Sequence, residues 1–145
     1  MKKLLPFIFC LISCSIFAQE VDITGLWTGT ITQDEGGYRP EYTFEIYLKQ
    51  DGDKVTGRSY VFVDKIYAVM NLNGSLHSKL YLNLKDEKIL DHKVDNGMEW
   101  CMKKYQLVLK NKKGVFHLEG FWQGDTTFST CIPGKVRLTK TEPRA

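Results

Sequence analysis

Glu41-Tyr42-Thr43-Phe44-Glu45-Ile46-Tyr47-Leu48-Lys49-Gln50 is the stretch that decides the fold. Tyr42, Phe44, Ile46 and Leu48 fall on one side of an extended chain, and Glu41, Thr43, Glu45 and Lys49 on the other. Period-two alternation of this kind describes a strand with one dry and one wet face. Asp51-Gly52-Asp53 supplies a turn, and a strand over 55–63 returns from it as a hairpin.

The same alternation extends outward in both directions. It predicts strands over 26–32, over 67–76 with Ala68, Met70, Leu72 and Leu76 on one side, and over 80–85 with Leu80, Leu82 and Leu84 inward. Asn73-Gly74 has the composition of a tight turn, yet the alternation runs through it. The turn is therefore placed at His77 and Ser78, with Gly74 read as a bulge or a point of close approach. Through 86–96 the pattern blurs, with Ile89, Leu90 and Val94 continuing the strand irregularly. Regular strands resume over 102–111 (Tyr105, Leu107 and Leu109 inward), over 115–123 (Phe116, Leu118, Gly120 and Trp122 inward) and over 135–140, with Asn111-Lys112-Lys113-Gly114 as a hairpin turn.

No stretch after Val21 shows a convincing helical period. A chain of 145 residues, 43% hydrophobic and 26% charged, holds one ordinary domain. About eight strands with short connections mean a meander closed into a barrel, or a sandwich. The barrel is preferred, because sequential hairpins build an up-and-down antiparallel sheet and closure removes its exposed edges. The expected fold is thus all-β, a single up-and-down antiparallel β-barrel of about eight strands.

Residues 1–19 read as a secretory leader: Lys2 and Lys3, an apolar run from Leu4 to Phe17, then Ala18 before polar Gln19. That run is too short to span a bilayer. Leu11-Ile12-Ser13-Cys14 also matches a lipobox, which would leave an acylated Cys14 and a membrane-anchored lipoprotein. Ile16, Phe17 and Ala18 favour plain cleavage, since a lipoprotein more often carries a polar tether there. The expected localisation is secreted or periplasmic, with the barrel domain over 20–145 and membrane contact only if Cys14 is lipidated.

Removal of the leader leaves Cys101 and Cys131, and two cysteines in an exported domain read as one disulfide. A loop of about 30 residues closed in this way corresponds to roughly 3–4 kcal/mol in the chain-entropy description. The formal net charge of +3, two of it from Lys2 and Lys3, falls to about +1 and predicts no particular partner. Without a basic stripe, nucleic acid is a poor expectation.

The chemistry-bearing residues give no catalytic arrangement. His77 lies at a turn, His92 in an acidic irregular stretch and His117 on a wet face beside Glu119. There is no H-E-x-x-H, G-x-S-x-G, Walker-type or EF-hand pattern. Asp91, His92 and Asp95 read as solvent-exposed rather than as metal ligands, and Asp34, Glu35, Asp51 and Asp53 as loop and turn residues. Neither enzyme activity, nor a metal, nor a cofactor is expected.

Gly25-Leu26-Trp27 on the first strand and Arg137 on the last resemble the G-x-W and arginine signature of the calycin barrels: lipocalins, fatty-acid-binding proteins and avidins. The resemblance implies that Trp27 plugs one end of the barrel and Arg137 lies across it as a cation–π contact. Trp100-Cys101-Met102-Lys103 and Cys131-Ile132-Pro133-Gly134-Lys135-Val136-Arg137-Leu138 are similar to segments of uncharacterised secreted barrel domains of Gram-negative bacteria. That resemblance supports the fold and the disulfide and implies no mechanism.

Alternation turns Trp27, Tyr42, Phe44, Tyr105, Phe116 and Trp122 inward and leaves Tyr47 and Tyr60 outside. A packed interior and one holding a small ligand produce the same pattern in a barrel of this size. Gly29, Ala68, Gly74 and Gly120 leave room between the large rings and tilt the expectation toward a pocket. The expected function is an exported, non-catalytic barrel that binds a small, partly apolar molecule, with Trp27, Phe44, Met70, Tyr105 and Trp122 lining or plugging the site. The alternative is a filled barrel that engages a cell-envelope protein, as inhibitor or accessory subunit, through the loops at 33–40 and 86–100.

Overall fold

The computed structural model describes residues 21–142. The leader and Cys14 lie outside the described residues. Eight strands follow one another: β1 (Gly25–Thr32), β2 (Glu41–Asp51), β3 (Lys54–Val63), β4 (Ile66–His77), β5 (Tyr81–Lys93), β6 (Met102–Lys112), β7 (Val115–Asp125) and β8 (Gly134–Lys140). Each pairs antiparallel with the next, and β8 returns to β1, pairing Leu138 with Gly29 and Val136 with Ile31. The fold is a closed up-and-down barrel.

Closure follows from the alternation. Tyr42, Phe44, Ile46 and Leu48 of β2 are all buried, while Glu41, Thr43, Tyr47 and Lys49 are exposed. The turn between β6 and β7 places Lys113 and Gly114 at φ 53° and 85°, the left-handed pair whose twist matches that of the flanking strands.

The two ends of the barrel differ. One is closed by the short connections after β2, β4 and β6 and by Trp27, which is fully buried. The Trp27 indole N–H donates to the Ile23 carbonyl at 2.9 Å, and Gly25, at φ 132°, brings the chain over the ring. The other end carries the loops 33–40, 94–101 and 126–133. A disulfide between Cys101 and Cys131 joins the last two of these.

Several expectations are corrected. Arg137 does not lie across Trp27: Val136 and Leu138 point inward, so Arg137 between them is exposed on the outer wall. The cation over the ring is Lys140, with Nζ 5.9 Å from the centroid. Leu80 is exposed in the turn before β5 rather than inward. The blurred region is largely strand, since β5 continues to Lys93 by pairing with Tyr67–Val69 of β4 across two register shifts, between Val69 and Met70 and between Asn71 and Leu72.

The glycines do not open space inside. A Cβ on Gly29, Gly74 or Gly120 would fall about 2 Å from the carbonyl oxygen of Arg137, Asn83 or Gln106 on the adjacent strand. These glycines permit close strand approach, as read for Gly74, and the place of their missing side chains is taken by backbone.

Candidate functional site

Trp27 is buried at the closed end, and Phe44, Met70 and Tyr105 are buried in the body of the barrel, where Phe44 and Tyr105 stack with ring centroids 5.8 Å apart. They form packed interior. Only Trp122 of the expected pocket residues borders the cavity at the looped end, a space of about 110 Å³. Its walls are mostly apolar: Ile31, Val61, Ile66, Val94, Trp100 and Trp122. Broader depressions on the outer wall, such as the one over Tyr47, Arg58 and Tyr60, are open and lined by long polar side chains.

The cavity forms where the barrel wall splits. β5 and β6 pair only from Tyr81↔Val108 to Lys85↔Lys104. Beyond that point β5 follows β4 alone, and 94–101 crosses the gap. Trp100 is fixed in this loop by its indole N–H, which donates to the Lys93 carbonyl at 3.1 Å. Trp122 is held from the opposite wall by donation to the Thr32 carbonyl at 2.7 Å. Gln33 braces the third side: its amide nitrogen donates to the Ile132 carbonyl, and its carbonyl oxygen accepts from the Tyr38 amide and the Tyr42 hydroxyl. The mouth is therefore built from aromatic side chains whose polar atoms are already bonded to the frame.

Two charges sit inside this end. Lys103 on β6 and Asp86 on β5 occupy inward positions one step past the last β5–β6 pair, and both are buried. Lys103 Nζ lies 3.6 Å from Asp86 Oδ2 and donates to the Cys101 carbonyl at 3.0 Å. The same ammonium stands 6.0 Å from the Trp100 ring centroid and 5.8 Å from that of Trp122. Asp86 accepts from the Lys103 backbone N–H at 2.9 Å and from the Tyr105 hydroxyl at 3.1 Å. Ser59, buried on β3, lies beside the Tyr105 hydroxyl.

Burial pushes the Asp86 carboxyl up, against the pull of Lys103 and its hydrogen bonds. Burial likewise pushes the Lys103 ammonium down, against the attraction of Asp86. Burial raises the Tyr105 hydroxyl well above its ordinary value, and the neighbouring Asp86 adds to this. Tyr105 is therefore a permanent donor to Asp86. The pair sums to no net charge, so Lys103 offers the cavity a hydrogen-bond donor with its charge already balanced. An ammonium has three N–H donors, and the Cys101 carbonyl and Asp86 leave donor capacity at the cavity wall.

This arrangement suits a small uncharged molecule with an aromatic or short aliphatic body and one acceptor atom. A carboxylate would bring unbalanced negative charge next to Asp86 and toward Glu99 at the rim. Among the described residues no group of three or more His, Cys, Asp or Glu side chains converges as a metal site would require.

Sequence reasoning missed Lys103, Asp86 and the Trp100 face of the site. The signal was present in parity: Asp86 follows Leu82 and Leu84, and Lys103 precedes Tyr105 and Leu107, each on the inward register. The chain matches no family model, no curated protein and no solved structure, so the site is defined by its own residues alone.

Proposed function

We propose that this barrel is a calycin-like carrier that holds one small, largely apolar, uncharged molecule at its looped end and does not convert it. The observation that carries this reading is the apolar cavity of about 110 Å³ between Trp100 and Trp122, with Lys103 in its wall and the balancing Asp86 carboxylate 3.6 Å from the Lys103 nitrogen. A dry apolar cavity of about 150 Å³ takes benzene, so this smaller one holds a molecule of that size only with part of it in the open mouth. Trp27 closing the opposite end with Lys140 over its ring supports the calycin-type reading. Export to an oxidising compartment belongs to the same proposal and is supported by the Cys101–Cys131 disulfide beside the cavity.

The test is native mass spectrometry of the protein purified without detergent after export from its own leader, followed by solvent extraction. A bound small neutral molecule at near-unit occupancy is expected. An empty barrel that takes up no small aromatic alcohol or ketone at millimolar concentration would contradict the proposal.

A second reading is favoured by Phe128. It is 90% exposed at the tip of the 126–133 loop, which is braced by the disulfide and by Glu99 accepting from the Thr127 amide at 3.1 Å. A rigid aromatic held out in this way suits an envelope-protein partner. Loss of a stoichiometric partner from envelope extract on Phe128→Ser, with the cavity still binding, would select this reading.

A further inference from the structure

Lys103 places a primary amine against an apolar cavity, with a carboxylate 3.6 Å from the nitrogen and two indole rings close by. A carrier that only needed a hydrogen-bond donor there would be served by a hydroxyl or an amide. An amine that is buried yet borders a cavity is uncommon, because burial penalises its charged form. The neighbouring Asp86 is itself fixed by the Tyr105 hydroxyl and the Lys103 amide, so it is oriented whatever occupies the cavity.

We infer that Lys103 is a covalent capture site for small apolar aldehydes, which it binds reversibly as an imine. The inference rests on the cavity being a ligand site, and it specifies the ligand class. The Lys103 ammonium passes a proton to Asp86, and the free amine attacks the aldehyde carbon, forming the C–N bond as the carbonyl oxygen takes up the proton displaced from nitrogen. Asp86 then returns its proton to the carbinolamine hydroxyl, and water leaves. The product is a protonated imine paired with the Asp86 carboxylate, so amine plus aldehyde gives imine plus one water with no change in charge. The lowered affinity of the buried amine for its proton favours the first step, each pKa unit raising the free-amine fraction about tenfold. Trp100 and Trp122 flank the carbon chain or ring of the aldehyde, and the apolar walls keep hydrolytic water scarce.

The experiment uses the whole folded protein with sub-stoichiometric benzaldehyde and cyanoborohydride, which reduces an imine to a stable benzylamine. Digestion and mass mapping then locate the benzyl group. A parallel sample contains excess benzyl alcohol, which carries the same ring with an oxygen on the same carbon but forms no imine. The expected result is one benzyl group on Lys103, at least about tenfold above any other lysine. The alcohol should suppress this label and leave surface lysines unchanged. Asp86→Asn, which keeps the shape of the acceptor, should slow labelling of Lys103 about tenfold or more. Even labelling of all lysines while benzyl alcohol still binds would overturn the inference and leave the carrier reading standing. Selective labelling of Lys103 that the alcohol does not suppress would also overturn it, since the cavity would then not be the route. Absence of both labelling and alcohol binding would remove the carrier reading together with the inference.

Discussion

The two ends of the barrel are built from the same alternating strands and reach opposite outcomes. At the closed end the fully buried inward positions are apolar, the connections are short, and Trp27 fills the space under Lys140, the cation that ends the inward row of β8. At the looped end the inward rows of β5 and β6 run on into Asp86 and Lys103, the two strands part, and a cavity opens between Trp100 and Trp122. The contrast separates the part of the molecule that gives stability from the part that forgoes some of it. A buried ion pair gives less than well-packed apolar side chains of the same volume would, so its presence, among the described residues, only where the wall opens points to use.

The comparison is sharpest under substitutions expected to cost about 3–5 kcal/mol each. Trp27→Ala empties the closed end and should lose that much in urea unfolding, while the folded fraction keeps its cavity. Lys103→Met strands Asp86 with no opposite charge and should lose a similar amount. The two separate in the second step: adding Asp86→Asn to Lys103→Met removes the stranded charge while keeping an acceptor oxygen for the buried donors, and should restore much of the stability but not ligand uptake. No single further substitution should rescue Trp27→Ala. A double variant as unstable as the single one would mean that the pair is structural.

Next in size is the disulfide. Replacing Cys101 and Cys131 together by Ser should cost about 3–4 kcal/mol, from a closed loop of 30 residues. Amide exchange should quicken first in 94–101 and 126–133, with the Trp27 end unchanged. Uniform loosening of both ends would contradict the division of the barrel described above.

The smallest effect lies on the outer wall. Glu119 bonds to Lys110 at 2.8 Å and Lys112 at 2.7 Å, and these hydrogen bonds lower its pKa from 4.5 to about 2. A depressed carboxyl contributes stability above its unfolded pKa and loses it as pH falls through the folded one. The contribution should therefore be complete above about pH 4.5 and gone near pH 2. Because both lysines are about half exposed on the outer wall, it should stay below about 1 kcal/mol and fade in high salt. Glu119→Gln should flatten that part of the acid-stability curve without altering either end of the barrel.

Much of this molecule was legible in the alternation itself. Tyr42, Phe44, Ile46 and Leu48 set the face of β2, and equivalent rows in the other strands led to a closed meander, while the Cys101–Cys131 pairing followed from the two cysteines that remain after the leader. Parity also held the answers that were overlooked. On β8 the inward row of Val136 and Leu138 continues to Lys140, which makes Lys140 the cation over Trp27, and an arginine at the odd position must face out. The charges of Asp86 and Lys103 hid their inward placement, although both continue apolar rows. Other features depend on distant pairing and could not be read locally. The length of β5 is set by its long partner β4, and the space suggested by Gly29, Gly74 and Gly120 is filled by neighbouring backbone. Whether inward rings meet or leave a cavity is decided by where β5 and β6 separate, which no local pattern records.

The chain has three tryptophans, and each indole N–H donates to a different backbone carbonyl: Trp27 at the closed end, Trp100 and Trp122 at the mouth. Following these three indole resonances in a nitrogen–proton correlation spectrum while benzyl alcohol is added therefore reports on both ends at once. Saturable shifts of the Trp100 and Trp122 signals are expected, with Trp27 unmoved. Saturable movement of Trp27, or no saturable shift at Trp100 and Trp122, would contradict binding at the looped end.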